Sequence, residues 1–156
     1  IKVTGEGCGI VEGNTIRKNT NGIRTNDSAS LEVKHNNITD NTSAGILCQD
    51  SSFLLIWDNE ITINDYGIKV GVQSSDTTNP DIGGGAEDGV GQNKIAGNKS
   101  YGVNNKTTDK IYAKYNWWGD AAGPRYPYHT SSSGDWIYWS ETSGNIIFEP
   151  CLATEP

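Results

Sequence analysis

The sequence predicts an all-β parallel solenoid, and three observations carry that prediction. The first is a short recurring unit: an Asn, an aliphatic residue two places on, and a second Asn three places after that. It reads GNTIRKN, HNNITDN, DNEITIN and QNKIAGN, with a degenerate last copy, YNWWGDA. The leading residues are Asn14, Asn36, Asn59, Asn93 and Asn116, so the steps are 22, 23, 34 and 23 residues. The second is a Gly followed by Ile or Val, three or four residues after each second Asn: Gly22-Ile23, Gly45-Ile46, Gly67-Ile68 and Gly102-Val103. The third lies upstream of each unit. The positions three and five before the leading Asn are mostly apolar and alternate with mostly polar neighbours, which marks a strand buried on one face.

Each coil then has three parts. Its first strand carries Val11, Val33, Ile56, Val90 or Ala113 three places before the leading Asn. A second short strand carries Ile16, Ile38, Ile61, Ile95 and finally Trp118. A third follows the Gly-Ile pair, with Ile68 and Val70 as examples. About 22 residues is too short for a helix pair with its turns, and no copy keeps a 3.6-residue apolar period. One coil buries too little alone, so coils must stack at roughly 4.8 Å each. The Asn residues, Asn19, Asn41, Asn64 and Asn98 included, are expected to be structural. Asn tolerates the left-handed bend, and its amide can bond the Asn of the coils above and below in a ladder.

With this repeat the chain resembles the right-handed parallel β-helix repeat proteins, the broad pectate-lyase-like class. The resemblance implies a single right-handed parallel β-helix of about five coils, roughly 25 Å long. It identifies a fold shared by many functions. The sequence NWWG followed by a GP pair, and the closing GNIIFEPCL, are similar to the C-terminal ends of such proteins. Eleven of the fourteen aromatic residues lie from Tyr101 onward, which suits a cap over the last coil's open core. The domain is therefore read as one unit over 1–156. Coils occupy 1–116 with a long inserted loop at 71–89, and an aromatic C-terminal cap occupies 117–156.

Composition narrows the function classes. The 156 residues hold 12 Lys and Arg against 19 Asp and Glu, a net charge of −7 that argues against a nucleic-acid partner. No apolar run reaches the length of a membrane span, and no signal peptide is recognisable. The chain begins at Ile1, inside a coil, and reads as a processed or excised piece. Three cysteines are too few for a disulfide framework. Cys48, level with Thr25 and Val70, is expected in the core, and Cys8 and Cys151 near opposite ends. Five Asn-x-Ser/Thr acceptors (Asn26, Asn37, Asn41, Asn98 and Asn105) arise readily in an Asn- and Thr-rich repeat.

The outward positions of the first strand define the candidate groove. Two before the leading Asn stand Glu12, Lys34, Trp57, Gly91 and Lys114, and four before it Ile10, Glu32, Leu55, Gly89 and Tyr112. Mid-rod, Leu55 and Trp57 are expected to face solvent beside a bare glycine patch, with Tyr112 and Lys114 on the next coil. In the polysaccharide-active β-helix enzymes that this chain resembles, the glycan lies on this strand face, walled by a long loop. Trp57, Leu55, Tyr112, Lys114 and Lys34 are therefore the candidate glycan-binding residues. The acidic loop could instead fold over Leu55 and Trp57 to bury them.

For catalysis the resemblance would require a Ca²⁺ site of several carboxylates with a basic residue opposite. Asp76, Asp81 and Asp88 are the candidate ligands, with Glu87 nearby and Lys34, Lys69 and Lys114 as bases. These acids do not recur in register, and no other cofactor is implied. Asp27 and Asp50 both lie nine before a ladder Asn and should stack on adjacent coils. A turn Asp more commonly caps its own backbone than binds a cation. His35 and His129 have no Ser or Cys partner placed by the repeat, so a nucleophilic triad has no support.

The leading functional expectation is an extracellular or cell-surface β-helix module, structural or glycan-contacting, within a larger protein. The alternative is a polysaccharide lyase or glycoside hydrolase of the class it resembles. A third is self-assembly, head to tail, through the free strand edges of the first coil.

Overall fold

A computed structural model describes residues 1–73, 75–85, 91–139 and 145–156. The described elements are all strands, and every strand pairing is parallel. Sheet A runs β1 (Lys2–Val3), β4 (Asn21–Thr25), β7 (Ala44–Cys48), β10 (Tyr66–Val70), β12 (Tyr101–Asn105), β14 (Ile137–Trp139). Sheet B starts with β2 (Cys8–Glu12), β5 (Ser30–Lys34) and β8 (Phe53–Trp57), and β13 (Ile111–Tyr112) and β15 (Ile146–Ile147) lie beyond. The single residue Asp81 bridges Leu55 of β8 and Tyr112 of β13, joining the two parts. Sheet C holds β3 (Thr15–Arg17), β6 (Asn37–Thr39), β9 (Glu60–Thr62) and β11 (Lys94–Ala96).

Like residues stack through the middle of the rod. Ile16, Ile38, Ile61 and Ile95 form one buried column, and Ile23, Ile46, Ile68, Val103 and Ile137 another. Thr25, Cys48 and Val70 are level, as expected, and all three are fully buried. The three cysteines are free thiols, and burial pushes Cys48 well above its ordinary range and Cys151 up to about 11.

Two ladders of Asn side chains tie the coils together. Between sheets B and C, Asn59 Oδ1 accepts the backbone N–H and the side-chain amide of Asn36, both at 3.0 Å. Asn93 does the same for Asn59 at 3.0 Å, and Asn116 for Asn93 at 2.9 and 2.8 Å. Between sheets C and A, Asn64 serves Asn41 and Asn98 serves Asn64 in the same way. This second ladder ends on a carboxylate. Asp135 accepts the Asn98 amide at 2.8 Å and the N–H groups of Asn98 and Gly97 at 3.1 and 2.8 Å. Burial raises the Asp135 pKa against the pull of these donors.

The local explanation of the Asn differs from the sequence expectation. No ladder Asn has positive φ; the left-handed bend belongs to the residue just before it. In the first ladder these are Gly13, His35, Asp58, Gln92 and Tyr115, and in the second Lys18, Asp40, Ile63 and Gly97. The Asn is therefore selected for its amide, and its predecessor carries the backbone strain. Ile63, β-branched with φ of 59°, sits there at a cost of about 1–2 kcal/mol.

The recurring Gly has no positive φ at Gly22, Gly45, Gly67 or Gly102, and its role is steric. A Cβ on Gly45 would stand 2.8 Å from Gly67 O, 2.9 Å from Asn64 Nδ2 and 3.1 Å from Ile61 Cγ2. Gly22 and Gly67 are as tightly closed in by Asn41 and Asn98. The Gly exists because the carbonyl of the next coil's glycine, with the ladder amide beside it, occupies the space where a side chain would go.

The long step between Asn59 and Asn93 is distributed differently from the sequence expectation. Ile82, fully buried, takes the core position predicted for Val90, level with Ile56 and Ala113. Asp81 N–H donates to Leu54 O, Ile56 N–H to Asp81 O and Ile82 N–H to Tyr112 O, a normal rung of sheet B. Cys48 precedes Ile56 by 8 residues, whereas Val70 precedes Ile82 by 12, an excess of 4. Ile56 precedes Asn59 by 3 and Ile82 precedes Asn93 by 11, an excess of 8. Most of the inserted chain therefore follows the strand, and residues 76–82 belong to the coil. Val90 and the rest of 86–90 lie outside the described residues.

The turn between sheets A and B carries Gly5, Asp27, Asp50 and Asp76 in one column, since Ser28, Ser51 and Thr77 each donate one coil back. Each of the two stacked carboxylates caps the earlier coil instead of its own backbone. Asp27 Oδ2 accepts Gly5 N–H at 2.9 Å, and Asp50 Oδ2 accepts Asp27 N–H and the Asn26 amide at 3.1 Å. Coil pairing also continues past Asn116. Lys94 bridges Trp117, Trp118 is fully buried, and β14 and β15 extend sheets A and B.

Two predictions follow from these assignments. Ile82→Ala should cost about 2–4 kcal/mol in denaturant melts, as a core cavity does; a loss near zero would return residues 76–82 to a dispensable loop. The Asp27 N–H, then the Asn26 amide, hold the Asp50 carboxyl below its ordinary value. Its stabilisation is present above the unfolded pKa of ~3.9 and is lost as pH falls through the folded value. Asp50→Asn should flatten the fall in melting temperature between neutral pH and pH ~3. An acid slope identical to the parent's would show that this turn is not linked to folding.

Candidate functional site

The outer face of sheet B displays two columns along the rod. One reads Ile10, Glu32, Leu55, Asp81 and Tyr112, and the other begins Glu12, Lys34 and Trp57. Leu55, Trp57 and Tyr112 point outward as the strand pattern requires, and each is half-buried. Asp81 stands between Leu55 and Tyr112, so the strip is not continuously apolar. The expected bare glycine patch is also absent at Gly91, which is buried against the Lys114 and Tyr115 backbone. Gly89 lies outside the described residues.

Trp57 sits in a polar and cationic setting. Its indole N–H donates to Glu32 Oε1 at 3.1 Å, and the Lys34 ammonium lies 5.3 Å from the ring centroid. Lys34 also pairs with Glu32 at 3.2 Å. The His35 ring meets Trp57 edge-on with centroids 5.0 Å apart. His35 Nε2 is 3.0 Å from Asp58 Oδ2 and Nδ1 is 3.3 Å from Glu12 Oε1, linking three successive coils. On the next coil but one, Lys114 repeats the arrangement of Lys34, with its ammonium 5.6 Å from the Tyr112 ring.

Around the corner from Trp57 opens a cleft of about 370 Å³. His35, Asp58 and Gln92 form its rim on the left-handed bends, and Asn37, Glu60 and Lys94 line it from sheet C. Glu60 and Glu155 pair with Lys94 at 3.0 and 2.7 Å. His35 belongs to both the cleft and the Trp57 contact, so an aromatic ring and a set of hydrogen-bonding groups adjoin.

The acidic candidates are not brought together. Asp76 belongs to the turn column and its Oδ2 accepts Val72 N–H at 2.8 Å. Asp81 belongs to the sheet B column, and its Oδ1 accepts the Gly83 and Gly85 N–H groups at 2.9 and 3.1 Å. Both are buried and accept backbone N–H groups of their own loop, Asp76 through Oδ2 and Asp81 through Oδ1. Asp88 and Glu87 lie outside the described residues. Among the described residues no cluster of three or more His, Cys, Asp and Glu could hold a metal ion. No described helix could cross a membrane. Of the five glycosylation acceptors, Asn41, Asn98 and Asn105 are buried, Asn26 is half-buried and Asn37 is exposed.

Sequence reasoning missed a second outward face. On sheet A, Tyr66 and Tyr101 stack with ring centroids 6.0 Å apart, and Tyr138 tilts against Tyr101 at 5.4 Å. Lys69 lies 5.1 Å from the Tyr66 ring and Lys106 4.5 Å from that of Tyr138. A signal was available, because Tyr66 and Tyr101 each directly precede the Gly of the repeat. Asp135 was missed without any such signal, since it lies 37 residues beyond its partner Asn98.

The model of right-handed β-helix regions matches residues 1–82, more than half of the 156 residues. No curated protein and no solved structure matches the chain. The stacked parallel coils and this match together give the assignment: the chain belongs to the right-handed β-helix family.

Proposed function

We propose that this β-helix is a non-catalytic, glycan-contacting module of a secreted or cell-surface protein. The observation that carries the reading is the position of Trp57. It stands mid-rod on an outward column, joined through His35 to a polar cleft rimmed by Asp58 and Gln92. A half-exposed ring beside amide, carboxylate and imidazole groups offers a sugar both an apolar face and partners for its hydroxyls. Leu55 and Tyr112 extend the strip, with Lys34 and Lys114 over its rings.

A lyase or hydrolase remains the competing reading, and Asp58 and Glu60 lining one cleft are what favours it. An inverting hydrolase would need two such carboxylates about 6.5–9.5 Å apart with a sugar between them. Both are already held, Asp58 by the His35 imidazole and Glu60 by the Lys94 ammonium, which supports a binding role over an acid–base one.

A glycan array run with and without EDTA distinguishes these readings. We expect binding that EDTA leaves unchanged and no release of shortened sugars. One ring stacked on an indole is worth about 1 kcal/mol, so Trp57→Ala should weaken any hit by about five-fold. The melt of that variant should be nearly unchanged. Full binding by Trp57→Ala, or a large loss of stability, would make Trp57 a structural residue.

A further inference from the structure

We infer that the outer face of sheet A is a docking surface for an anionic polysaccharide lying along the rod, a ligand class that rests on the glycan reading above. The first support is charge segregation. The strands of sheet A contain no Asp or Glu, although the chain has 19 of them and a net charge of −7. Sheets B and C carry Glu12, Glu32 and Glu60 in their strands.

The second support is which cations are already used. Among the described residues the ion pairs involve Lys34, His35 and Lys94, all away from sheet A. Lys69 and Lys106 have no carboxylate partner among the described residues and sit instead over the rings of Tyr66 and Tyr138. A cation over a ring keeps its remaining donors free for an anion.

The third support is spacing. Coils repeat at roughly 4.8 Å; the Tyr66 and Tyr101 rings, level on adjacent strands, follow at 6.0 Å, and Tyr138, level with Asn104, leans against Tyr101 at 5.4 Å. A sugar residue in an extended chain advances by a similar length, so successive rings could meet successive tyrosines. Beside Tyr101 a cleft of about 390 Å³, lined by Lys99, Ser100 and Trp136, gives one sugar or its substituent a seat. Asp65 at the corner accepts the Ser100 hydroxyl at 2.6 Å and is the carboxylate that a ligand would have to pass. Anionic groups on the sugar select this face over the mixed-charge face of sheet B.

The test titrates the 156-residue protein with dextran sulfate and with unmodified dextran, which differ in the sulfate groups, and with single-stranded DNA as a polyanion without pyranose rings. Dextran sulfate should bind, weaken as salt rises, and exceed both others. The double variant Lys69→Ala/Lys106→Ala touches no core side chain and should lose on the order of ten-fold in affinity. Equal binding of DNA would reduce the effect to bulk charge and overturn the inference, as would parental affinity in the double variant. Neutral glycans bound through Trp57, with no response to dextran sulfate, would overturn this inference and leave the glycan reading standing. Absence of binding to every glycan would overturn both.

Discussion

A single side-chain amide, shared between coils, sets the terms for the rest of this structure. Each buried ladder Asn offers one oxygen to two donors of the coil before it and spends its own N–H groups on backbone carbonyls. Asn59, for example, donates to Val33 O and Trp57 O at 2.8 Å as well as to Asn93. In a bend that would otherwise bury unsatisfied backbone groups, such an amide meets the demand without water. The neighbouring features follow from it. The residue before the Asn must turn left-handed, and the Gly after the second Asn must have no side chain because the next coil's glycine carbonyl and the ladder amide close that space. Period, bend and glycine are one constraint expressed three times.

Because the ladders and the aliphatic columns hold the coils, the outward columns are free to diverge. Sheet B places acids, bases and apolar residues side by side, and they neutralise one another as Glu32 and Lys34 do. Sheet A has no acid in its strands, and Lys69 and the adjoining Lys106 lie over tyrosine rings. Two faces of one rod thus present different chemistry at the same spacing. This division of labour is what a solenoid permits and a compact core does not.

The coil architecture was legible in the sequence because its determinants are local. The Asn-x-Ile spacing recurs unchanged at Asn36, Asn59 and Asn93, and the Gly-Ile pair recurs with them as Gly-Ile, Gly-Ile and Gly-Val. The core position of Ile82 was not legible, because an insertion on its C-terminal side moved it out of step with Asn93. Val90 matched the spacing, and only strand pairing with Leu54 and Tyr112 distinguishes the two. Asp135 was hidden for a similar reason. It completes a ladder of amides with a different residue type, and any carboxylate offering oxygen to Gly97 and Asn98 would serve. At the candidate site, the outward direction of Trp57 followed from period 2, whereas its contacts with Glu32 and His35 depend on side chains one coil away. The tyrosine strip was legible residue by residue but not as a surface, since Tyr138 joins it from beyond the regular repeats.

The ladder account is tested most directly by hydrogen exchange of Asn side-chain amides, followed by NMR in the native protein. Asn59 and Asn93 are buried with their amide protons shared between coils, whereas Asn37 is exposed and reaches only Glu60, at 3.3 Å. The account predicts that the Asn59 and Asn93 amides exchange only when the rod unfolds, at the rate of the slowest backbone N–H groups, while Asn37 exchanges freely. Exchange of Asn59 and Asn93 as fast as Asn37 would show that the amides do not hold the coils together, and the central claim would fail.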